Sequence, residues 1–261
     1  MKIQFVFGIL LGLLIHFSAW GYDSSALTTL EDRVVKMAHQ GRQPVVIFDL
    51  DDTLINTRER TVRILKEIAR TPAFSHAYPR EADRLNRIKP SEVRYEIKQI
   101  LTALSIYSAA VEKVLATLWN ARFFTNEYCR RDESILGGVD YVWSLFQKGA
   151  KIFYLTGRDV PRMEDGTGES LHNLGFPMGV HTKLLMKPNQ EMTDLEYKQR
   201  VFQSIQKEGD VVGVFENEPA NLNAMADAFP KALPIFLDTI HSNHPAVPTA
   251  SAVWIKNFER R

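Results

Sequence analysis

Three carboxylates within four residues, Asp49, Asp51 and Asp52, follow the apolar run Val45-Val46-Ile47-Phe48, with Leu50 interposed. Like charges crowded at the end of a buried strand are costly unless a cation or hydrogen bonds compensate them. The spacing lets a turning chain aim Asp49 and Asp51 into one pocket from different positions. One carboxylate can then attack phosphorus, giving an aspartyl-phosphate that water cleaves. The second can protonate the leaving oxygen and later deprotonate the water. A helix cap, the ordinary use of Asp at such a place, needs one carboxylate rather than three.

Further residues of the same chemical kind recur at the ends of other apolar runs. Lys151 to Leu155 leads into Thr156-Gly157-Arg158-Asp159, where a hydroxyl can reach a phosphoryl oxygen and glycine lets the backbone come close. Val211 to Phe215 leads into Glu216-Asn217-Glu218. Lys183, Lys187 and Lys198 lie between the two and can offset the charge that phosphoryl transfer spreads over several oxygens. His241 and His244 lack the cysteine or acid cluster that would complete a zinc site and read as a polar loop. Cys129, the single cysteine, reads as a small apolar residue and excludes an internal disulfide. Gly166-Thr167-Gly168 lacks the spacing of a nucleotide-binding fingerprint and reads as a flexible lead into a helix ending near Gly175.

Stepping outward, strands expected at 45–48, 151–155, 182–186, 211–215 and 233–237 alternate with helical patterns at 24–40, 57–70 and 139–148. That alternation predicts an α/β fold, a mainly parallel sheet with helices on both faces and the chemistry at the carboxyl ends of the strands. Between 57 and 129 no strand-like run occurs, and helices are expected at 90–104 and 106–129. The expected organisation is a core domain, 22–56 and 130–261, with an inserted all-helical cap domain, 57–129. The tail residues Trp254, Ile255 and Phe258 are expected to pack back on the core.

Lys and Arg total 32 against 31 acids, a net charge of +1, which gives no footprint for a nucleic acid polymer. Lys2, the apolar stretch Ile3 to Phe17 and the small residues Ala19 and Gly21 form the pattern of a secretory signal peptide, residues 1–21, cleaved after Gly21. The apolar stretch falls short of the about twenty residues that a membrane span requires. The expectation is an exported protein, periplasmic or secreted, with no stable membrane span after cleavage.

Phe48-Asp49-Leu50-Asp51-Asp52-Thr53-Leu54 resembles the first motif of the haloacid dehalogenase-like (HAD) hydrolase superfamily, and Leu155-Thr156-Gly157-Arg158 is similar to its second. The resemblance implies a HAD-like (Rossmannoid) core and phosphomonoester hydrolysis of small phosphorylated metabolites. It implies Asp49 as nucleophile, Asp51 as general acid/base and Thr156 as the hydroxyl that orients the phosphoryl group. It further implies Thr53, Gly157, Arg158 and Lys187 around the phosphate, and Lys198 as the motif lysine, with Lys187 as the alternative. Mg²⁺ is implied on Asp49, the carbonyl oxygen of Asp51, and Glu216 or Asn217. The fourth motif departs from the family pattern, because Glu216 replaces the usual Asp and Asn217 is neutral. Mg²⁺ holds octahedral oxygens at roughly 2.1 Å, so the extra methylene of Glu216 must be absorbed. A catalytically weak or inactive phosphate-ligand-binding protein is therefore the alternative function.

Overall fold

The computed structural model describes residues 21–260. The leader expected at residues 1–21 lies, apart from Gly21, outside the described residues. Strands are β1 (Pro44–Phe48), β2 (Ile55–Asn56), β3 (Glu133–Ser134), β4 (Lys151–Asp159), β5 (Thr182–Lys187), β6 (Asp210–Glu216), β7 (Leu233–Leu237) and β8 (Val253–Ile255). The helices before residue 130 are α1 (Ser25–His39), α2 (Thr57–Arg70), α3 (Pro72–Ala77), α4 (Pro79–Asn86), α5 (Ile97–Ala103), α6 (Ala109–Phe123) and α7 (Asn126–Cys129). Those after it are α8 (Gly138–Gln147), α9 (Val160–Leu174), α10 (Asp194–Gln206) and α11 (Pro219–Ala228).

β1 is buried along its whole length and sits in the middle of a parallel sheet of order β5-β4-β1-β6-β7-β8. Its apolar run alternates between the two faces, as the strand period of two requires. Val46 and Phe48 join Leu27, Leu30, Tyr141 and Leu145 from α1 and α8. Val45 and Ile47 join Phe202, Ile205, Leu222 and Met225 from α10 and α11. Helices thus cover both faces, the arrangement a wholly parallel sheet needs. Continuing the alternation past β1 puts Asp49 on the α10 side, and this is what brings a helix residue, Lys198, to it.

Residues 57–129 hold only helices and one 3₁₀ turn, and build a separate apolar cluster around Leu65, Ile68, Leu85, Ile100 and Leu115. The chain enters and leaves this insert through an antiparallel ribbon, Ile55 opposite Ser134 and Asn56 opposite Glu133.

Several expectations change. The helix expected over 90–104 is a 3₁₀ turn, Pro90–Glu92, followed by α5, because Glu96 and Gln99 form a capping box that starts a new helix. The one expected over 106–129 divides at Phe124 and Thr125 into α6 and α7. β8 and the β2–β3 ribbon were not foreseen. Gly166 to Gly168 lies inside α9 rather than leading into it. A Cβ on Gly166 would stand 2.3 Å from the Asn126 carbonyl oxygen, so glycine is what allows α7 and α9 to touch there. Gly166→Ala is expected to cost about 1–3 kcal/mol, the usual range for overpacking, seen as a lower urea midpoint at unchanged slope.

Candidate active site

The carboxyl ends of β1, β4 and β6 open into a cavity of about 530 Å³ under the helical insert, lined by Asp49, Asp51, Thr156, Gly157, Lys187, Lys198, Glu216 and Asn217 among others. Val93, Tyr95, Trp119, Phe123 and Phe124 form an apolar and aromatic wall from the insert. A larger cavity, about 610 Å³, lies away from these strand ends among Arg33, Lys36, Arg42 and Lys231, and holds none of the candidate residues.

Asp49 is 5 % exposed, and its amide donates to Phe215 O at 3.0 Å, which fixes the first residue beyond β1 against β6. Lys198, nearly sealed from solvent, donates from Nζ to Asp49 Oδ1 at 2.7 Å and to Glu216 Oε2 at 2.5 Å. Lys187 instead donates to Asp194 Oδ1 at 2.7 Å and Met192 O at 3.1 Å, while Lys183 pairs with Glu208. Of the three lysines, Lys198 is the one set against Asp49. Burial, with Glu216 nearby, pushes the Asp49 carboxyl up to about 7 despite Lys198. Burial also raises Glu216, and the two carboxylates hold the Lys198 ammonium firmly charged against its own burial.

Asp51 opens the turn in which Thr53, Leu54 and Ile55 all donate their amides to Leu50 O. Asp52 takes a left-handed φ of 58° there. The Asp51 side chain is 32 % exposed, toward the cavity. Its carboxylate accepts Arg158 Nε at 2.9 Å and Arg158 Nη2 at 2.7 Å, and Arg60 Nη2 at 3.1 Å. Burial alone would raise Asp51, but the two guanidiniums override it and hold the carboxyl well below the ordinary range. Burial pushes Asp52 up to about 7, with Thr57 Oγ1 donating to it at 2.6 Å.

Arg158, expected beside the phosphate, lines the cavity but directs its guanidinium to protein acceptors. Besides Asp51 it donates to Asp132 Oδ2 at 2.8 Å and Thr167 Oγ1 at 3.0 Å, and its side chain is sealed. Those protein acceptors occupy all three of its guanidinium nitrogens. Thr53 is fully buried and lies outside the cavity lining, where Oγ1 donates to Asn217 Oδ1 at 3.2 Å and ties the turn after β1 to the end of β6. Thr156 is 1 % exposed, at the cavity wall, and accepts the Arg158 amide at 3.2 Å. Gly157 stands where a Cβ would fall 2.1 Å from Asp194 Oδ2, so a side chain there would displace the exposed carboxylate that pairs with Lys187. Arg60 and Asp132 escaped the sequence reading. Each sits in a run of ordinary charged residues, and only burial sets them apart.

A hard cation fits the charge of this site. In the ion-paired clusters at its base, four carboxylates, Asp49, Asp51, Asp132 and Glu216, meet three cations, Lys198, Arg60 and Arg158. Asp49 and Glu216 share a single ammonium, and burial raises both carboxyls. Among the described residues no three His, Cys, Asp or Glu side chains converge as a ready metal site. The remaining donors are therefore backbone and amide oxygens. Glu216 Oε1 already accepts the amides of Asn217 and Glu218, and Asn217 Oδ1 accepts Thr53, but such oxygens keep a further lone pair.

A pH dependence follows for the metal-free protein. Unfolded carboxyls lose their protons near pH 4, whereas folded Asp49 and Asp52 keep theirs up to about 7. Between those values the folded state binds more protons, so stability falls as pH rises through the window. The melting temperature in EDTA is expected to be higher at pH 5.5 than at pH 8. Adding Mg²⁺ should raise it more at pH 8, where the cation takes the place of the protons.

Residues 116–231 match the model of the HAD superfamily, subfamily IIIB (acid phosphatase), a stretch that contains Thr156, Lys198 and Glu216. A candidate phosphatase from Clostridium difficile has a similar fold, with a TM-score of 0.52 at 12% identity over 83% of this chain and 95% of that one. The matched stretch is less than half of the chain, and over it the chain is similar to that subfamily. A candidate β-phosphoglucomutase from Thermotoga maritima matches at 16% identity and TM-score 0.48, over 83% and 95% of the two chains. A class C acid phosphatase from Bacillus anthracis with tungstate bound matches at 15% identity and TM-score 0.40, over 83% and 80%. No curated protein matches the sequence. The subfamily model on residues 116–231 supports a phosphatase. Asp49 and Asp51 precede the matched stretch, yet they share a cavity with its residues.

Proposed function

We propose that the protein is a Mg²⁺-dependent phosphomonoester hydrolase that works through an aspartyl-phosphate on Asp49. The observation that carries the reading is Asp49 itself, buried at the end of β1 in hydrogen-bond contact with Lys198, with Asp51 beside it on the cavity side. Asp49 attacks phosphorus as the bond to the leaving oxygen breaks, and water then releases phosphate. Lys198 holds Asp49 in place and lies within reach of the phosphoryl oxygens, and the Thr156 hydroxyl at the cavity wall orients them. Asp51, a carboxylate at rest, is ready to take the proton of the attacking water. To protonate a leaving oxygen it must first part from Arg158 and take up a proton from solvent. Mg²⁺, held by Asp49, the Asp51 carbonyl oxygen and Glu216 or Asn217, would supply charge to the phosphate.

The helical insert is the cap of this reading, with its aromatic wall facing the leaving group. Export is part of the same proposal and rests on the signal-like residues 1–21. The test is phosphate release from a panel of phosphomonoesters, in Mg²⁺ and in EDTA. Metal-dependent turnover supports the reading. Binding of a phosphate ester without turnover would move the protein to the binding class, which the altered Glu216-Asn217 motif keeps open.

A further inference from the structure

Arg60, from the first turn of α2, and Asp132, from the return segment, meet Arg158 and Asp51 beneath the cavity. The side chains of Arg60 and Asp132 are 0 % exposed. Asp132 accepts Arg60 Nε at 2.8 Å and Arg60 Nη2 at 2.5 Å, and also Arg158 Nη2 at 2.8 Å. The same two Nη2 groups donate to Asp51 Oδ1, at 3.1 and 2.7 Å. Two amino groups, one from each arginine, therefore bridge the same pair of carboxylates and close a ring. Burying such a cluster is costly, and apolar residues of similar volume often do as well for stability. Its justification lies in what it orients.

We propose that Arg60 and Asp132 are positioning residues that fix the Asp51 carboxyl for its proton transfers. The proposal rests on the phosphatase reading. Asp51 and Arg158 line the cavity, with Asp51 the more exposed of the two, and Arg60 and Asp132 are sealed behind them. Arg60 also sits 4.4 Å from the Phe123 ring centroid and donates from Nη1 to Phe123 O at 3.4 Å. Phe123 belongs to the cavity wall, so one side chain sets both the direction of Asp51 and the surface the leaving group meets. A planar guanidinium can hold two carboxylates in a fixed relation, which a lysine ammonium cannot.

The test is a double-mutant cycle on 4-nitrophenyl phosphate, whose good leaving group keeps Asp51→Asn measurable. Arg60→Lys and Asp132→Asn, each checked for an intact thermal transition, are expected to lower kcat roughly 10- to 100-fold with KM within about 3-fold. In the Asp51→Asn background the same substitutions should cost less than about 3-fold, since they act through a carboxyl no longer there. Equal losses in both backgrounds, a loss confined to KM, or no loss overturns the proposal. A wild-type protein that releases no phosphate from any ester overturns the phosphatase reading instead, and the two failures are distinct.

Discussion

Asp49→Asn is expected to abolish phosphate release, by roughly 10⁴- to 10⁶-fold in kcat, while leaving the protein as stable as before or more so. The loss follows from the proposed mechanism, in which Asp49 is the nucleophile: an amide cannot form the aspartyl-phosphate, and removing such a group costs on that scale. The unchanged or improved stability follows from the charge deficit. Asp49 and Glu216 share the Lys198 ammonium, and burial pushes Asp49 up to about 7. Asparagine removes one of the competing carboxylates and still offers Oδ1 to Lys198. Its melting temperature in EDTA at pH 8 should therefore equal or exceed that of the wild type. A marked drop in stability would mean that the charge on Asp49 holds the site together, contrary to this account.

Lys198→Met is expected to do the reverse. It leaves two sealed carboxylates without their ammonium, and breaking a buried pair in this way costs about 3–5 kcal/mol. For a chain of this size that is a fall in melting temperature of roughly 6–20 °C. The fall should be larger at pH 8 than at pH 5, because at low pH Asp49 takes up a proton. Adding Asp49→Asn to Lys198→Met should recover part of it, which calorimetry across the four proteins would read directly. An equal fall at both pH values would assign the loss to packing rather than to charge.

The parts of the fold carried by long apolar runs were open to a reading of the sequence. Val45 to Phe48, Lys151 to Leu155 and Val211 to Phe215 are strands because wholly buried parallel strands leave few polar positions. β8 was hidden because three residues in an irregular tail carry no period of their own. Val93, Ile97, Ile100 and Leu104 keep a helical spacing straight across the break at Glu96, so spacing alone could not reveal it. The cavity residues Asp49, Asp51, Thr156, Lys198 and Glu216 stood out because each is polar directly after an apolar run or upstream of one. Thr156-Gly157-Arg158 points Arg158 to the phosphate, and its protein partners are not legible there. Its acceptors, Asp132 and Thr167, lie in segments that nothing in the sequence connects to it. Arg60 and Asp132 stand near the two ends of the stretch between β2 and β3, and a pair so distant in sequence becomes visible only when the chain returns.

The ribbon of Ile55–Asn56 against Glu133–Ser134 brings the two ends of the insert side by side, at the spacing of neighbouring strands, about 4.8 Å. Seen as a unit of inheritance, the stretch between them is a cassette: it could be exchanged for another at that junction without re-routing the sheet. Arg60 and Asp132 both lie inside the cassette, while Asp51 and Arg158 stay with the core. A recombinant that trades the insert for one with a different leaving-group preference would also discard half of the ring around Asp51. In this lineage, specificity and proton handling are expected to change together.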